Sequence, residues 1–164
     1  MRLEEAILQY HFSSQAQKAG INIIYTAHWL HNCIQDFLNP YHITPQQYNV
    51  LRILKNVYPV SLSICDIRKQ MLDKTSDVSR IVDRLVKQGL VTRKISLIDK
   101  RLIDIRISEQ GIALLNKIDK QQNRLEQIMS VLSNQELETI NAILDKLRTL
   151  NVELYPNESS HFEE

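Results

Sequence analysis

The sequence predicts a mainly α-helical fold carrying one small two-stranded sheet, and three observations lead there. Only three glycines and four prolines punctuate 164 residues, too little turn chemistry for a many-stranded sheet. Apolar residues recur at steps of three and four over most of the chain, the period of a helix face. Residues 91–107 alone change to a period of two. With 43% apolar residues, the chain has the size and composition to bury one core, the usual single domain.

Taken in order, residues 2–18 place Leu3, Ala6, Ile7 and Tyr10 at helical spacing, and Gly20 then reads as a break. This predicts a short N-terminal helical extension over residues 1–20. From residue 21 to 38, Ile24, Ala27, His28, His31, Ile34 and Leu38 form one stripe, stopped by Asn39 and Pro40. Thr44, Pro45 and Gln47 then make a capping box with proline at the first helical position, opening a helix to about Asn56. Ser63 and Asp66 make a second capping box and start a helix of about two turns, to Met71.

After Leu72, Asp73 and Lys74, Thr75 reads as the N-cap of a helix ending at Gln88, with Gly89 at the left-handed terminating position and Leu90 behind it. Two short helices joined by such a turn make a helix-turn-helix. Val91, Arg93 and Ile95 alternate with Thr92 and Lys94, and Ile103, Ile105 and Ile107 with Asp104 and Arg106. A hairpin with an apolar face must pack that face on neighbouring helices, so it reads as a wing. Ser108 caps a long helix reaching Leu132. Ser133 and Glu136 form a third capping box, and Leu137, Ile140, Leu144, Leu147 and Leu154 stripe the last helix.

The expected architecture is therefore a winged helix-turn-helix lobe over residues 44–108. Helices at 21–38 and 108–154 serve dimerisation, and residues 155–164 form a polar, disordered tail. These helices are more apolar than one small domain can use, so a helical homodimer interface is the expected answer. Packing within one chain is the alternative.

Net charge is only +1, but its distribution is uneven. Between Arg68 and Arg106 stand eleven basic and five acidic residues, a local excess of six cations over an otherwise acidic chain. That asymmetry resembles the electrostatic footprint of a nucleic-acid module, with double-stranded DNA as the expected partner; a merely solvated surface is the alternative reading of the charge. On the 75–88 helix, Val78, Ile81, Val82 and Leu85 share one side. Ser76, Ser79 and Arg80 face away near the N-terminus, where short hydroxyls and a guanidinium can enter a major groove. Lys74 and Thr75 sit where helix-start amides attract phosphate, Arg84 lies on the flank, and Lys94 is on the charged face of the hairpin. For Arg80, pairing with Asp77 or Asp83 is the competing role. In the hairpin tip, Lys100 and Arg101 are placed to reach the backbone or a narrow minor groove. Asp99 reads as the carboxylate that orients Arg101, a role compatible with its alternative as a turn former.

Other functions find little support. No run of 18 apolar residues exists, and Met1 to Glu5 open no signal peptide, so a cytoplasmic protein with no membrane role is expected. The five histidines form no HExxH, there is no GxSxG, and three glycines cannot cradle phosphate, so no enzyme, cofactor or metal is expected. His28 and His31 read as structural histidines. Cys33 and Cys65 have no metal spacing and read as reduced thiols. Cys65, at a helix start, is the better redox candidate of the two.

The run from Thr75 to Gly111, TSDVSRIVDRLVKQGLVTRKISLIDKRLIDIRISEQG, resembles the recognition helix, wing and helix restart of MarR-family regulators. The matching features are Ser79-x-x-Val82-x-x-Leu85, Gly89-Leu90-Val91-x-Arg93, Asp99-x-Arg101 and Ser108-x-x-Gly111. The resemblance extends more weakly over residues 21–154. It implies a homodimer whose terminal helices interlock and which binds a near-palindromic operator, usually as a repressor. In many members a small aromatic effector releases DNA, and others respond to cysteine oxidation. By position, Tyr25, His28, Trp29 and Tyr48 would line such an effector pocket, the alternative being that aromatics at helical spacing belong to the core. The extra helix at 2–18 departs from the family pattern, as do the positions of both cysteines. The alternative to DNA binding is a winged helix used for protein contact.

Overall fold

The computed structural model describes residues 1–8, 11–95, 103–121 and 124–154. In chain order the elements are α1 (Leu3–Ile7), α2 (Gln15–Leu38), a 3-10 turn (Asn39–Tyr41), α3 (Pro45–Asn56), α4 (Ile64–Gln70), α5 (Val78–Lys87), β1 (Val91–Ile95) and β2 (Ile103–Ile107). They are followed by α6 (Glu109–Lys120), α7 (Arg124–Met129) and α8 (Asn134–Leu154). The fold is mainly helical with one antiparallel pair of strands, as the periodicity requires. Two compact units form, one over Met1–Arg124 and one from Leu125 onward.

The first unit is built around α3, which packs against α2, α4, α5, α6 and β2. Val50, Leu51, Ile53 and Leu54 are all buried, a stripe wide enough for neighbours on both flanks. On α5, Val78, Val82 and Leu85 are buried and Ile81 half-buried, the face expected from the sequence. The core closes with Leu38, Ile67, Met71, Ile105, Ile107, Leu115 and Ile118.

Capping residues mark several helix starts. Thr44 accepts from the Gln47 amide while Gln47 Oε1 accepts from the Thr44 amide, at 3.2 and 2.9 Å. Ser63 and Asp66 repeat the exchange at α4, and Ser133 and Glu136 at α8. The Ser63 hydroxyl and amide also hold the Asp66 carboxyl below its ordinary pKa.

The wing is held at its base. Val91 pairs with Ile107, Arg93 with Ile105 and Ile95 with Ile103. On its other edge β2 is bridged by Leu62, whose N–H and C=O both bond Ile105 at 2.9 Å, a strand position the sequence pattern did not reveal. Val91, Ile105 and Ile107 are buried, whereas Ile95 is 68% exposed. The expected apolar face is therefore buried at Val91, Ile105 and Ile107 but not at Ile95.

Three helix boundaries differ from expectation. Gly20 does not break a helix: α2 runs from its N-cap Ser14, which accepts from Gln17, straight through it. A single interior glycine costs only about 1 kcal/mol, which 23 other helical residues override. The extension is instead the five-residue α1, ended at Leu8 with φ 52°. It is fastened to α2 by the Glu4–Lys18 ion pair, and the Lys18 hydrogen bond lowers the Glu4 pKa. The helix after Ser108 stops at Lys120, with Gln121 extended, and α7 follows as a separate turn and a half. Finally, α5 starts at Val78 with Asp77 as N-cap, not at Thr75. Asp73 has already taken the Thr75 amide and the Thr75 and Ser76 hydroxyls into a turn of its own.

Gly89 ends α5 at φ +73°, the left-handed position its sequence context predicts. The nearest obstacle to a Cβ there is Gln110 Oε1 at 2.8 Å, the tip of a flexible side chain. Gly89→Ala is expected to cost about 1–2 kcal/mol, almost all of it backbone strain, as a lowered denaturation midpoint with an unchanged slope.

In the second unit, α8 leaves Ile140, Ile143 and Leu147 exposed. In the first, α2 does the same with Ile23, Ile24 and Trp29.

Candidate nucleic-acid interface

The basic segment folds into α4, the α4–α5 turn, α5 and β1. Hydrophobic burial of Val78, Val82 and Leu85 fixes which way α5 faces, and so presents Ser79, Arg80, Asp83, Arg84 and Lys87 outward. Arg80 carries an 81% exposed side chain. Together with Ser76, Asp77, Ile81 and Arg84 it lines one wall of a depression of about 280 Å³, and Thr44, Gln46 and Gln47 from the start of α3 line the other. Gln47 anchors this junction. It is buried, and its side-chain amide donates to Gln88 Oε1 at 3.1 Å, while Gln88 donates to the His42 carbonyl at 3.2 Å. The end of α5 is thereby tied to the start of α3.

The turn is organised by carboxylates. Asp73 accepts from Thr75 Oγ1 at 2.7 Å and from Ser76 Oγ at 2.8 Å. The two hydroxyls, then the Thr75 amide, hold its carboxyl below the usual pKa range, with a smaller attraction from His31. Because the folded-state pKa is depressed, this contribution to stability is present above the ordinary carboxylate pKa and fades as pH falls through the lowered one. Asp77 Oδ1 accepts from the Arg80 amide at 3.2 Å, and its Oδ2 lies 3.3 Å from Arg80 Nε. Asp83 takes Arg93 of β1 at 2.7 Å and so joins α5 to the wing.

Of the residues expected at DNA, Ser76, Ser79, Arg80 and Arg84 are brought together on α5 and its approach. Lys74 and Thr75 lie in the preceding turn rather than on the helix, with Lys74 Nζ donating to the Lys69 carbonyl. Lys94 is exposed on β1. Asp99, Lys100 and Arg101 lie outside the described residues. Pairing of Arg80 with Asp77 is observed, and Asp83 is otherwise engaged. Sequence reasoning missed Asp73 and Asp77 as the organisers of the turn, although an aspartate three residues before Arg80 is itself an N-cap signal. It also missed the Asp83–Arg93 pair, ten residues apart and without a local signature.

The residues assigned to an effector pocket are spread along two helices. On α2, Tyr25 is half-buried, His28 exposed and Trp29 47% exposed. Tyr48 on α3 is half-buried, with the Arg52 guanidinium 5.3 Å from its ring centre. Burial raises the Tyr48 pKa, partly offset by the charge of Arg52. Cys65 is exposed in the first turn of α4 and Cys33 half-buried on α2. Among the described residues, no group of three or more His, Cys, Asp or Glu side chains could hold a metal ion.

Comparison with known proteins agrees with this geometry. The MarR family profile matches residues 43–103, the span from the start of α3 to the start of β2. The HTH-type transcriptional regulator PrsX of Escherichia coli is 30% identical over 115 residues, 70% of this chain and 69% of PrsX. The chain belongs to the MarR family. MhqR of Bacillus subtilis, another HTH-type transcriptional regulator, is 28% identical over 121 residues, covering 73% of this chain and 81% of MhqR. In fold, this MarR-family chain matches the S. aureus MepR protein, solved as a DNA complex, with a TM-score of 0.72 at 23% identity. The match covers 79% of this chain and 96% of MepR. The winged helix-turn-helix reading is thus supported by sequence and by fold, and the protein is a MarR-type transcriptional regulator.

Proposed function

We propose that this regulator is a homodimeric repressor that binds a near-palindromic DNA operator, each protomer placing the start of α5 in a major groove. The observation that carries the reading is the outward N-terminal end of α5. Ser79 and an 81% exposed Arg80 stand there on a helix whose opposite side buries Val78, Val82 and Leu85 in the core. Such an end fits a groove about 12 Å wide and can bond base edges. The wing, tied to α5 through Arg93 and Asp83, supports it against the backbone. Lys74, Thr75, Arg84 and Lys94 are assigned to phosphates, and the hairpin-tip residues Asp99, Lys100 and Arg101 to the backbone or minor groove.

Dimerisation is supported by the apolar residues left exposed on α2 and on α8, since contiguous apolar surface on a single chain marks a partner site. Among the described residues no helix is long and apolar enough to cross a membrane, which fits a regulator acting on DNA in the cytoplasm.

The testing experiment is selection of duplexes from a random-sequence pool by the purified protein. Two half-sites related by a dyad and about one helical turn apart are expected, with affinity falling steeply as salt rises. Selection of no common sequence would instead favour a winged helix used for protein contact. Release by a small aromatic effector is the regulatory half of the proposal, with Tyr25, His28, Trp29 and Tyr48 as the rings it would meet. Trp29 is the one tryptophan of the chain, so its fluorescence would change on binding.

A further inference from the structure

The recognition helix begins with a negative charge where DNA would bring another. Asp77 is the N-cap of α5, its carboxylate 56% exposed, and its two oxygens do different work. One accepts from the Arg80 amide at 3.2 Å, and the other lies 3.3 Å from Arg80 Nε. Capping requires only an oxygen acceptor, for which asparagine and serine serve as well as aspartate. The capping bond therefore does not need the charge, whose attraction to the helix dipole adds only a little at an exposed site. The charge is also costly beside a phosphate, since like charges a few ångströms apart repel even in high dielectric. An exposed pair of this kind contributes little to stability, so its effect must be sought in binding.

Resting on the DNA-binding reading above, we infer that Asp77 is a specificity-determining residue. Its carboxylate holds the Arg80 guanidinium off the phosphates, and so suppresses binding to unrelated DNA. A bidentate contact from Arg80 to a base edge outcompetes the pair only at the right sequence. At any other sequence Arg80 has only a phosphate to exchange for a carboxylate it already holds, and Asp77 repels the same phosphate. Specificity here comes from a built-in repulsive element as well as from attraction.

The test compares wild type, Asp77→Asn and Asp77→Ser on two duplexes: one recovered from the random pool and a shuffled duplex of equal length and composition. Both variants keep an N-cap oxygen and remove the charge. The shuffled duplex should be bound roughly threefold to tenfold more tightly, and the selected one changed less, so that the ratio of affinities falls. In an Arg80→Ala background the same substitution should leave that ratio unchanged, because the group that Asp77 restrains is gone. Equal tightening on both duplexes in the wild-type background, or an unchanged ratio in both variants, overturns the inference while leaving DNA recognition intact. Failure of the wild-type protein to enrich any duplex overturns DNA recognition itself, and this inference with it.

Discussion

Replacing Gly111 by alanine is expected to destabilise the protein by about 3 kcal/mol, at the upper end of what forced overpacking costs. A Cβ at this position would meet the Leu90 carbonyl oxygen at 2.3 Å, Ile107 Cγ1 at 2.8 Å and the Leu90 carbonyl carbon at 3.3 Å. The first and last are backbone atoms and have little freedom to give way. The Leu90 carbonyl accepts from the Ser108 amide at 3.0 Å, the Ser108 hydroxyl bonds the Gly89 carbonyl at 2.7 Å, and the Gly111 amide donates to Ser108 Oγ at 3.0 Å. The exit of α5, the base of the wing and the start of α6 are closed into one knot, and the methyl group would be placed inside it. For a chain of this length the melting temperature should fall by roughly 6–12 °C, read by thermal denaturation with circular dichroism. The loss should exceed that of Gly89→Ala, where only a flexible glutamine tip stands in the way. Equal small losses at the two glycines would mean that α6 can slide away from Leu90.

The second large effect is expected at Arg80. Under the proposed mode of binding, Arg80→Ala should weaken binding to the selected duplex by about 1–3 kcal/mol for each half-site, the worth of one bidentate base contact. The loss should be concentrated at one symmetric pair of base positions. Arg80→Lys separates charge from geometry, because lysine keeps the charge but has no planar fork. The lysine variant should bind shuffled DNA as the wild type does, yet lose most of the preference at those positions. Competition binding against single-position duplex variants measures both. If alanine and lysine lower affinity for selected and shuffled duplexes by equal factors, Arg80 touches phosphate and another residue reads the sequence.

Much of this fold was legible in the sequence because many of its elements announce themselves through interactions spanning four residues or fewer. Thr44 with Gln47, Ser63 with Asp66 and Ser133 with Glu136 are reciprocal bonds between near neighbours, and all three were readable as capping boxes. The buried face of α5 followed from its spacing alone, and with it the outward set of Ser79, Arg80 and Arg84. Gly89 was readable as a left-handed stop because only the local backbone asks for it.

Tertiary structure decided what depends on residues distant in the chain or on competition between equivalent local solutions. Thr75 read as the N-cap of α5, but Asp77 takes that place, because Asp73 draws Thr75 and Ser76 into its own turn. The pairing of Leu62 with Ile105 joins positions 43 apart and leaves no periodic trace. Gly111 was legible only as part of the Ser108-x-x-Gly111 resemblance, and its physical reason, the approach of the Leu90 carbonyl that excludes a side chain there, lies in the packing. The link from α5 to the wing, Asp83 to Arg93, likewise exists only because the chain reverses at Gly89. Short-range hydrogen bonds and side-chain period are properties of a segment. Close approach, ion pairing across elements and the exposure of Ile95 are properties of where segments meet, which the packing of the core determines.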